Sequence, residues 1–234
     1  MLQLLGGNFT TAGLITWLAT VLVLLFSLSF HEMSHARMAD RLGDSTAREA
    51  GRLTLNPLVH LEPIGAAMIF LGAPVAWARP VPVNPLRFRR EITVRKGMML
   101  VAVMGPVSNL ILAFIACLLL NIMSLFPLTP ALVNSGPLSL LILLLQSLYF
   151  ININLAVFNL LPVPPLDGSK VLGIFMSDRT YQRFMQYGHY FSYIFLGVMI
   201  FRPGLLSWVI QLVSRPFRWL IGAPLDFIFG FLRG

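Results

Sequence analysis

The chain has 234 residues, 57% of them hydrophobic and only 11% charged, with a formal net charge of +8 and a mean hydropathy of +0.79. A soluble domain carries about 25% charged residues, so this composition excludes an ordinary soluble protein and makes the lipid bilayer a partner. The positive charge implies no nucleic acid, because the basic residues fall in short loops between apolar runs, the pattern that orients membrane proteins.

Residues 12–36 form a run long enough to span, since about 20 residues cross the hydrocarbon core, and the first thirty residues carry no charge. No basic stretch precedes this run, which argues against a cleavable signal peptide. Near its end stands Phe30-His31-Glu32-Met33-Ser34-His35. Ionisable side chains at membrane depth cost about 3 kcal/mol or more unless compensated, and a metal ion compensates them. On a helix His31 and His35, at i and i+4, share a face and both imidazoles reach one Zn²⁺. Glu32 sits beside them, where a carboxylate can take a proton from a water on the metal.

Residues 37–62 are polar, with Arg37, Arg41, Arg48 and Arg52. Within them Gly51–Asn56 alternates and ends in Asn56-Pro57, which predicts a short strand. Residues 63–78 are apolar but short and are interrupted by Gly65, Gly72 and Pro74, which predicts a re-entrant or hairpin segment. Residues 79–85, proline-rich, read as extended. Residues 98–126 and 137–161 are two further spans, the second running into Pro162, Pro164 and Pro165. A basic loop follows, with Lys170, Arg179 and Arg183. Residues 186–201 and about 204–222 predict a closing helical hairpin around Arg202-Pro203-Gly204. The tail, with Arg215, Arg218 and several aromatics, reads as interfacial. Cys117 lies within an apolar run, so no disulfide framework can form inside the chain. The whole reads as an all-α polytopic membrane protein and a single membrane-embedded domain over 1–234, with its core at 12–180 and C-terminal helices at 186–232.

Between Lys96 and Lys170 the chain carries one charged residue, Asp167. A lone carboxylate in such surroundings needs a partner. A catalytic zinc takes three protein ligands and leaves one position for water, so Asp167 is the natural third ligand beside His31 and His35. Topology gives an independent check. The loop 127–136 has no Lys or Arg, whereas 37–62 has four, 79–96 has six and 162–185 has three. If 63–78 does not cross, all three basic segments share one side, the cytoplasmic side. The same assignment brings the His31 end of the first span and Asp167 to one membrane depth.

The chain resembles the site-2 proteases, the intramembrane zinc metalloprotease family. His31-Glu32-x-x-His35 matches the family's first motif. Asn159-Leu160-Leu161-Pro162 with Asp167-Gly168 matches its second, and Gly105-Pro106-Val107-Ser108-Asn109 a third. Gly51–Pro57 and Pro80–Pro85 resemble a compact bacterial and archaeal branch without PDZ or CBS domains. The resemblance implies a core of three helices carrying the site, a zinc endopeptidase in the cell membrane whose site opens towards the cytoplasm, and another protein's transmembrane helix as substrate. It also implies a role for Asn159 as donor to the oxyanion or the substrate backbone, against the alternative of a helix-to-helix hydrogen bond.

Other polar and small residues read more simply. Asn109, Asn152 and Asn154 read as polar glue between helices, and Gly105 and Ser108 as small residues that let helices approach. His60 and His189 have no metal-ligand spacing to another candidate and read as structural or interfacial. Met98, Met99 and Met104 read as packing or lipid-facing residues. Two other functions use the same His/Asp cluster or none: a membrane metal-ion transporter or binding protein, and a catalytically silent scaffold. A transporter needs neither Glu32 nor a general base, and the chain carries no inverted repeat.

Overall fold

The computed structural model describes residues 10–62, 79–127, 129 and 136–233. Among them the regular elements are all helical, and three helices are long and apolar enough to cross a membrane. The first, α1 (Thr11–Arg41), starts where Thr10 Oγ1 accepts from Gly13 N at 3.1 Å, a side-chain cap for an otherwise orphaned donor. It runs five residues past the apolar stretch. Its last turn stays helical because Ala39 and Leu42 pack against Phe88 and Val101.

Two short helices follow, α2 (Thr46–Glu49) and α3 (Pro57–His60). The expected strand over Gly51–Asn56 is not formed. Gly51 takes φ +68°, a left-handed conformation that breaks an extended run. Arg52 is buried and its Nη1 donates to the carbonyl of Val59 at 2.5 Å. Asn56 Oδ1 accepts from Leu58 N at 3.1 Å and starts α3. His60 is buried beneath this loop, with Nε2 2.8 Å from the Thr54 carbonyl, in the structural role its spacing implied. The expected re-entrant segment at 63–78 lies outside the described residues.

The second span, α4 (Val94–Met123), is antiparallel to α1. The third, α5 (Gly136–Leu160), runs back beside both. The face of α4 towards its neighbours is rich in small or short side chains, among them Ala102, Gly105, Ser108, Asn109, Ala113 and Ala116, all buried, beside larger ones such as Val101 and Leu112. Without a hydrophobic force between helices in lipid, close backbone approach of this kind holds a bundle together.

After α5 come α6 (Asp167–Gly173), α7 (Asp178–Gln186), α8 (Gly188–Phe201) and α9 (Pro203–Arg233). The closing pair α8–α9 meets at 103°. The second limb extends past residue 222 as one continuous helix, because its packing stripe continues. Ile210, Phe217 and Ile221 lie against Ala113, Ile153 and Val157, and Leu225 and Phe229 continue the stripe beside Cys117.

Candidate metal centre

His31 and His35 occupy the buried face of α1, one turn apart, with ring centroids 4.6 Å apart. Their Nε2 atoms are 3.0 Å from each other. Asp167, the first residue of α6, turns Oδ2 to within 3.2 Å of the first and 3.1 Å of the second. All three side chains are buried. Residues 31, 35 and 167 are therefore brought together across more than 130 residues of sequence.

What each ring nitrogen can do is decided by its other nitrogen. His35 Nδ1 is 2.8 Å from the carbonyl of Val101, an atom that only accepts, so Nδ1 carries the hydrogen and donates. That carbonyl stands one residue before Ala102, whose own carbonyl is deprived of a helical partner because Pro106 has no N–H. His31 Nδ1 is 2.7 Å from Asn109 Oδ1. Asn109 Nδ2 in turn donates to Asn152 Oδ1 at 2.9 Å, and Asn152 Nδ2 donates to Ser27 Oγ and to the Leu148 carbonyl, both at 2.8 Å. Because Asn109 gives its Nδ2 to Asn152, the atom facing His31 is Oδ1, which can only accept, so His31 also keeps its hydrogen on Nδ1.

With both hydrogens on Nδ1, the two Nε2 atoms and Asp167 Oδ2 are three lone pairs converging on one point. Nothing among them donates. Such a set is unfavourable unless a cation occupies its centre. A tetrahedral ion with bonds of about 2.0–2.1 Å to nitrogen or oxygen sets its ligand atoms about 3.3 Å apart, close to the distances found. The donor chemistry thus fits a metal ion. The wall opposite the cluster is equally specific. A Cβ placed on Gly105 would come to 2.5 Å from Cε1 of both imidazoles and from His35 Nε2. The residue that permits close helix approach is therefore also the one that makes room for the two rings.

Asp167 is set by its own neighbours. A Cβ on Gly168 would lie 2.2 Å from the Leu160 carbonyl oxygen and 2.4 Å from that of Leu161, so only glycine lets the start of α6 rest on the end of α5. The second carboxylate oxygen, Oδ1, faces Lys170 Nζ at 3.6 Å, and Lys170 lies in α6 and not in the loop expected there. Glu32, half-buried, accepts from Val81 N at 3.3 Å through Oε2. Val81 belongs to an extended strap, 79–84, pinned at both ends. Arg79 N donates to the His60 carbonyl at 2.7 Å, and Asn84 N to Asp44 Oδ2 at 2.6 Å.

Asn159 is not joined to the cluster by the bond it makes. Its Nδ2 donates to the Leu155 carbonyl four residues back on α5, at 3.0 Å. That bond lies within α5 and does not join two helices. Asn109 and Asn152 do bridge helices, and they do more: they fix the tautomer of His31. Their signal in the sequence was asparagine within two apolar spans, two in 98–126 and three in 137–161, which does not reveal that an imidazole stands at the end of the relay.

The family model of peptidase family M50 matches residues 19–200. The chain is 39% identical over 181 residues to "Putative zinc metalloprotease YwhC" of Bacillus subtilis, covering 77% of this chain and 79% of that protein. It is 31% identical over 195 residues to "Putative zinc metalloprotease Rip2" of Mycolicibacterium smegmatis, covering 81% and 69%. It is 32% identical over 193 residues to the protein of that name in Mycobacterium tuberculosis, with the same coverage. No solved structure matches the chain significantly.

Proposed function

This chain belongs to peptidase family M50, the site-2 proteases, and from that premise we propose that it is a zinc endopeptidase acting on peptide bonds in or beside the transmembrane helices of other proteins. His31, His35 and Asp167 are the proposed ligands and Glu32 the proposed general base. The observation that carries the reading is the convergence of two Nε2 lone pairs and one carboxylate oxygen within 3.2 Å, with a second carboxylate next to them on α1. Zinc bound there supplies Lewis acidity to a substrate carbonyl and makes a water acidic near neutral pH.

The chain's own residues do the rest. Val101 and Asn109 hold both imidazoles in the tautomer that offers Nε2. The Val81 N–H holds Glu32 Oε2, and Oε1 is the atom assigned to take the proton of the attacking water and return it to the leaving amine. Asn159 is assigned the developing oxyanion, through the Nδ2 hydrogen that the Leu155 carbonyl does not take. A peptide bond inside a helix has its carbonyl engaged, so the substrate helix must unwind before attack. The extended strap at 79–84 offers backbone to the unwound chain. We place the site towards the cytoplasm, where the basic segments would lie.

Glu32→Gln tests the assignment. It removes the base and leaves the three ligands, so about one zinc per chain should remain while cleavage of a membrane-helix substrate falls by about 10²-fold or more. Near wild-type cleavage by zinc-loaded Glu32→Gln would refute the role of Glu32. Zinc flux into proteoliposomes that survives Glu32→Gln, with no proteolysis by either form, would favour a transporter.

A further inference from the structure

Arg95 is the second residue of α4, yet most of its contacts lie about eighty residues away. Its Nη1 donates to Asp178 Oδ1 at 2.9 Å. Its Nη2 donates to the carbonyls of Gly173 and Met176, and its Cζ lies 5.0 Å from the centre of the Tyr181 ring. The guanidinium side chain is only 21% exposed, although Asp178 is 91% exposed. An arginine paired with a surface carboxylate alone would contribute little. Here the further acceptors are the carbonyl of Gly173, the last residue of α6, which also accepts from Met176 N at 3.2 Å, and the carbonyl of Met176, three residues beyond it. Gly173 lets the Tyr181 ring close on the same place, since a Cβ there would meet the ring at 2.6 Å.

Helix α6 is seven residues long, with Asp167 at one end and Gly173 at the other. A helix so short has little stability of its own, so its orientation is set by its packing along α4 and by what pins its ends. At the Asp167 end the pin is the contact of Gly168 with the Leu160 and Leu161 carbonyls. At the other end it is Arg95, which rises from the same helix that carries Gly105 and Asn109. The arginine fork matches this task, because planar guanidinium donors serve two acceptors in fixed geometry where an ammonium acts as a point charge.

We infer that Arg95 is a positioning residue for Asp167: by tying the carbonyls of Gly173 and Met176, at and just beyond the end of α6, to α4, it holds the Asp167 carboxylate against the two imidazoles. The inference rests on the reading of His31, His35 and Asp167 as metal ligands. It predicts coupling between Arg95 and Asp167 in metal affinity, which a contribution to general stability does not.

The test uses the full chain in detergent, with Zn²⁺ affinity measured by chelator competition for wild type, Arg95→Met, Asp167→Ala and the double variant. Arg95→Met should weaken zinc by about 10-fold or more, the lower end of what outer partners of metal ligands supply. In the Asp167→Ala background the same change should cost nothing further. Arg95→Lys should recover only part of the loss. Hydrogen exchange in the metal-free chain gives a second readout, in which the amides of 169–173 should open about 10-fold faster in Arg95→Met. If Arg95→Met does not fold, Tyr181→Leu removes one wall of the guanidinium site and should give a smaller loss, again only when Asp167 is present. Unchanged zinc affinity, or an equal loss with and without Asp167, overturns the inference. A wild-type chain that bound no zinc would overturn the metal reading instead, and Arg95 would then stand or fall on the exchange of 169–173.

Discussion

Asn109 Oδ1 stands 2.7 Å from His31 Nδ1, and this single contact decides which nitrogen of His31 faces Asp167. The relay behind it, through Asn152 to Ser27, joins the three spans α1, α4 and α5. Asn109→Leu removes the acceptor for His31 and the donor for Asn152 together. Zinc affinity should fall by about 10–100-fold, the scale for outer partners of metal-bound histidine. The fold should lose about 1–3 kcal/mol, because Asn152 Oδ1 is left buried without that donor. Zinc titration beside an unfolding curve separates the two effects. An unfolding loss with undiminished zinc affinity would reduce Asn109 to the helix glue that its sequence position suggested.

Gly105→Ala probes the same rings from the other side. The new methyl would lie 2.5 Å from three imidazole atoms, well inside contact distance, so the rings must turn or α4 must withdraw. Overpacking of this sort costs about 1–3 kcal/mol, and here it falls on the proposed ligands. The expected result is a folded protein with far less than one zinc per chain and no measurable cleavage. Circular dichroism and metal analysis of the same sample check it, and full zinc occupancy would show that the imidazoles do not sit against residue 105.

The residues that bear charge in apolar surroundings were the legible ones. His31, Glu32 and His35 stand out at the end of an uncharged run, and Asp167 stands alone between Lys96 and Lys170. Both facts are local and need no knowledge of packing. The three spans were legible for the same reason, since hydrophobic length is read directly from composition. The relay was not, because asparagine in a membrane helix looks the same whether it bonds another helix or orients an imidazole. Distinguishing them requires the register of α1, α4 and α5. Arg95 was hidden for a related reason: six basic residues between 79 and 96 look alike as orienting charges, and only the fold brings one of them to the end of α6. The alternation over Gly51–Asn56 misled because period two is evidence for a strand only where extended backbone has a partner. Arg52 instead turned inward to the carbonyl of Val59.

Gly168 and Gly197 give opposite expectations for one substitution. At Gly168 a methyl meets backbone carbonyls at 2.2 and 2.4 Å, which cannot swing aside, so Gly168→Ala should dislodge the start of α6 and with it Asp167. Zinc binding and cleavage should both be lost. At Gly197, inside α8, a methyl meets nothing within 4 Å. Gly197→Ala should leave activity unchanged and keep or slightly raise stability, by up to about 1 kcal/mol from the helix preference of alanine. Thermal unfolding and cleavage of the pair make the comparison, and equal behaviour of the two variants would contradict the packing at 168.

Asp44 is fully buried and lies outside the proposed metal ligands, which makes it the cleanest probe of the strap. Its Oδ1 accepts from Thr46 N at 3.0 Å and from the Thr46 hydroxyl, and its Oδ2 accepts from Asn84 N at 2.6 Å. The last of these bonds pins the strap whose Val81 N–H reaches Glu32. Asp44→Asn keeps size but replaces one oxygen by an NH₂; with its oxygen kept on the two Thr46 donors, the Asn84 N–H is the donor that loses its partner. Hydrogen bonds to a charged acceptor contribute about 1.5–3 kcal/mol, and a stability loss of that order is expected. Zinc content should stay at the wild-type level, because none of the three proposed ligands touches this network. Cleavage should nevertheless fall, since Glu32 loses the amide that orients Oε2 while its own chemistry is untouched. Hydrogen exchange at Val81 distinguishes this route from loss of stability: the amide should exchange faster in Asp44→Asn under conditions where α4 is still protected. Wild-type cleavage with a freely exchanging Val81 amide would mean that the strap does not set the position of Glu32.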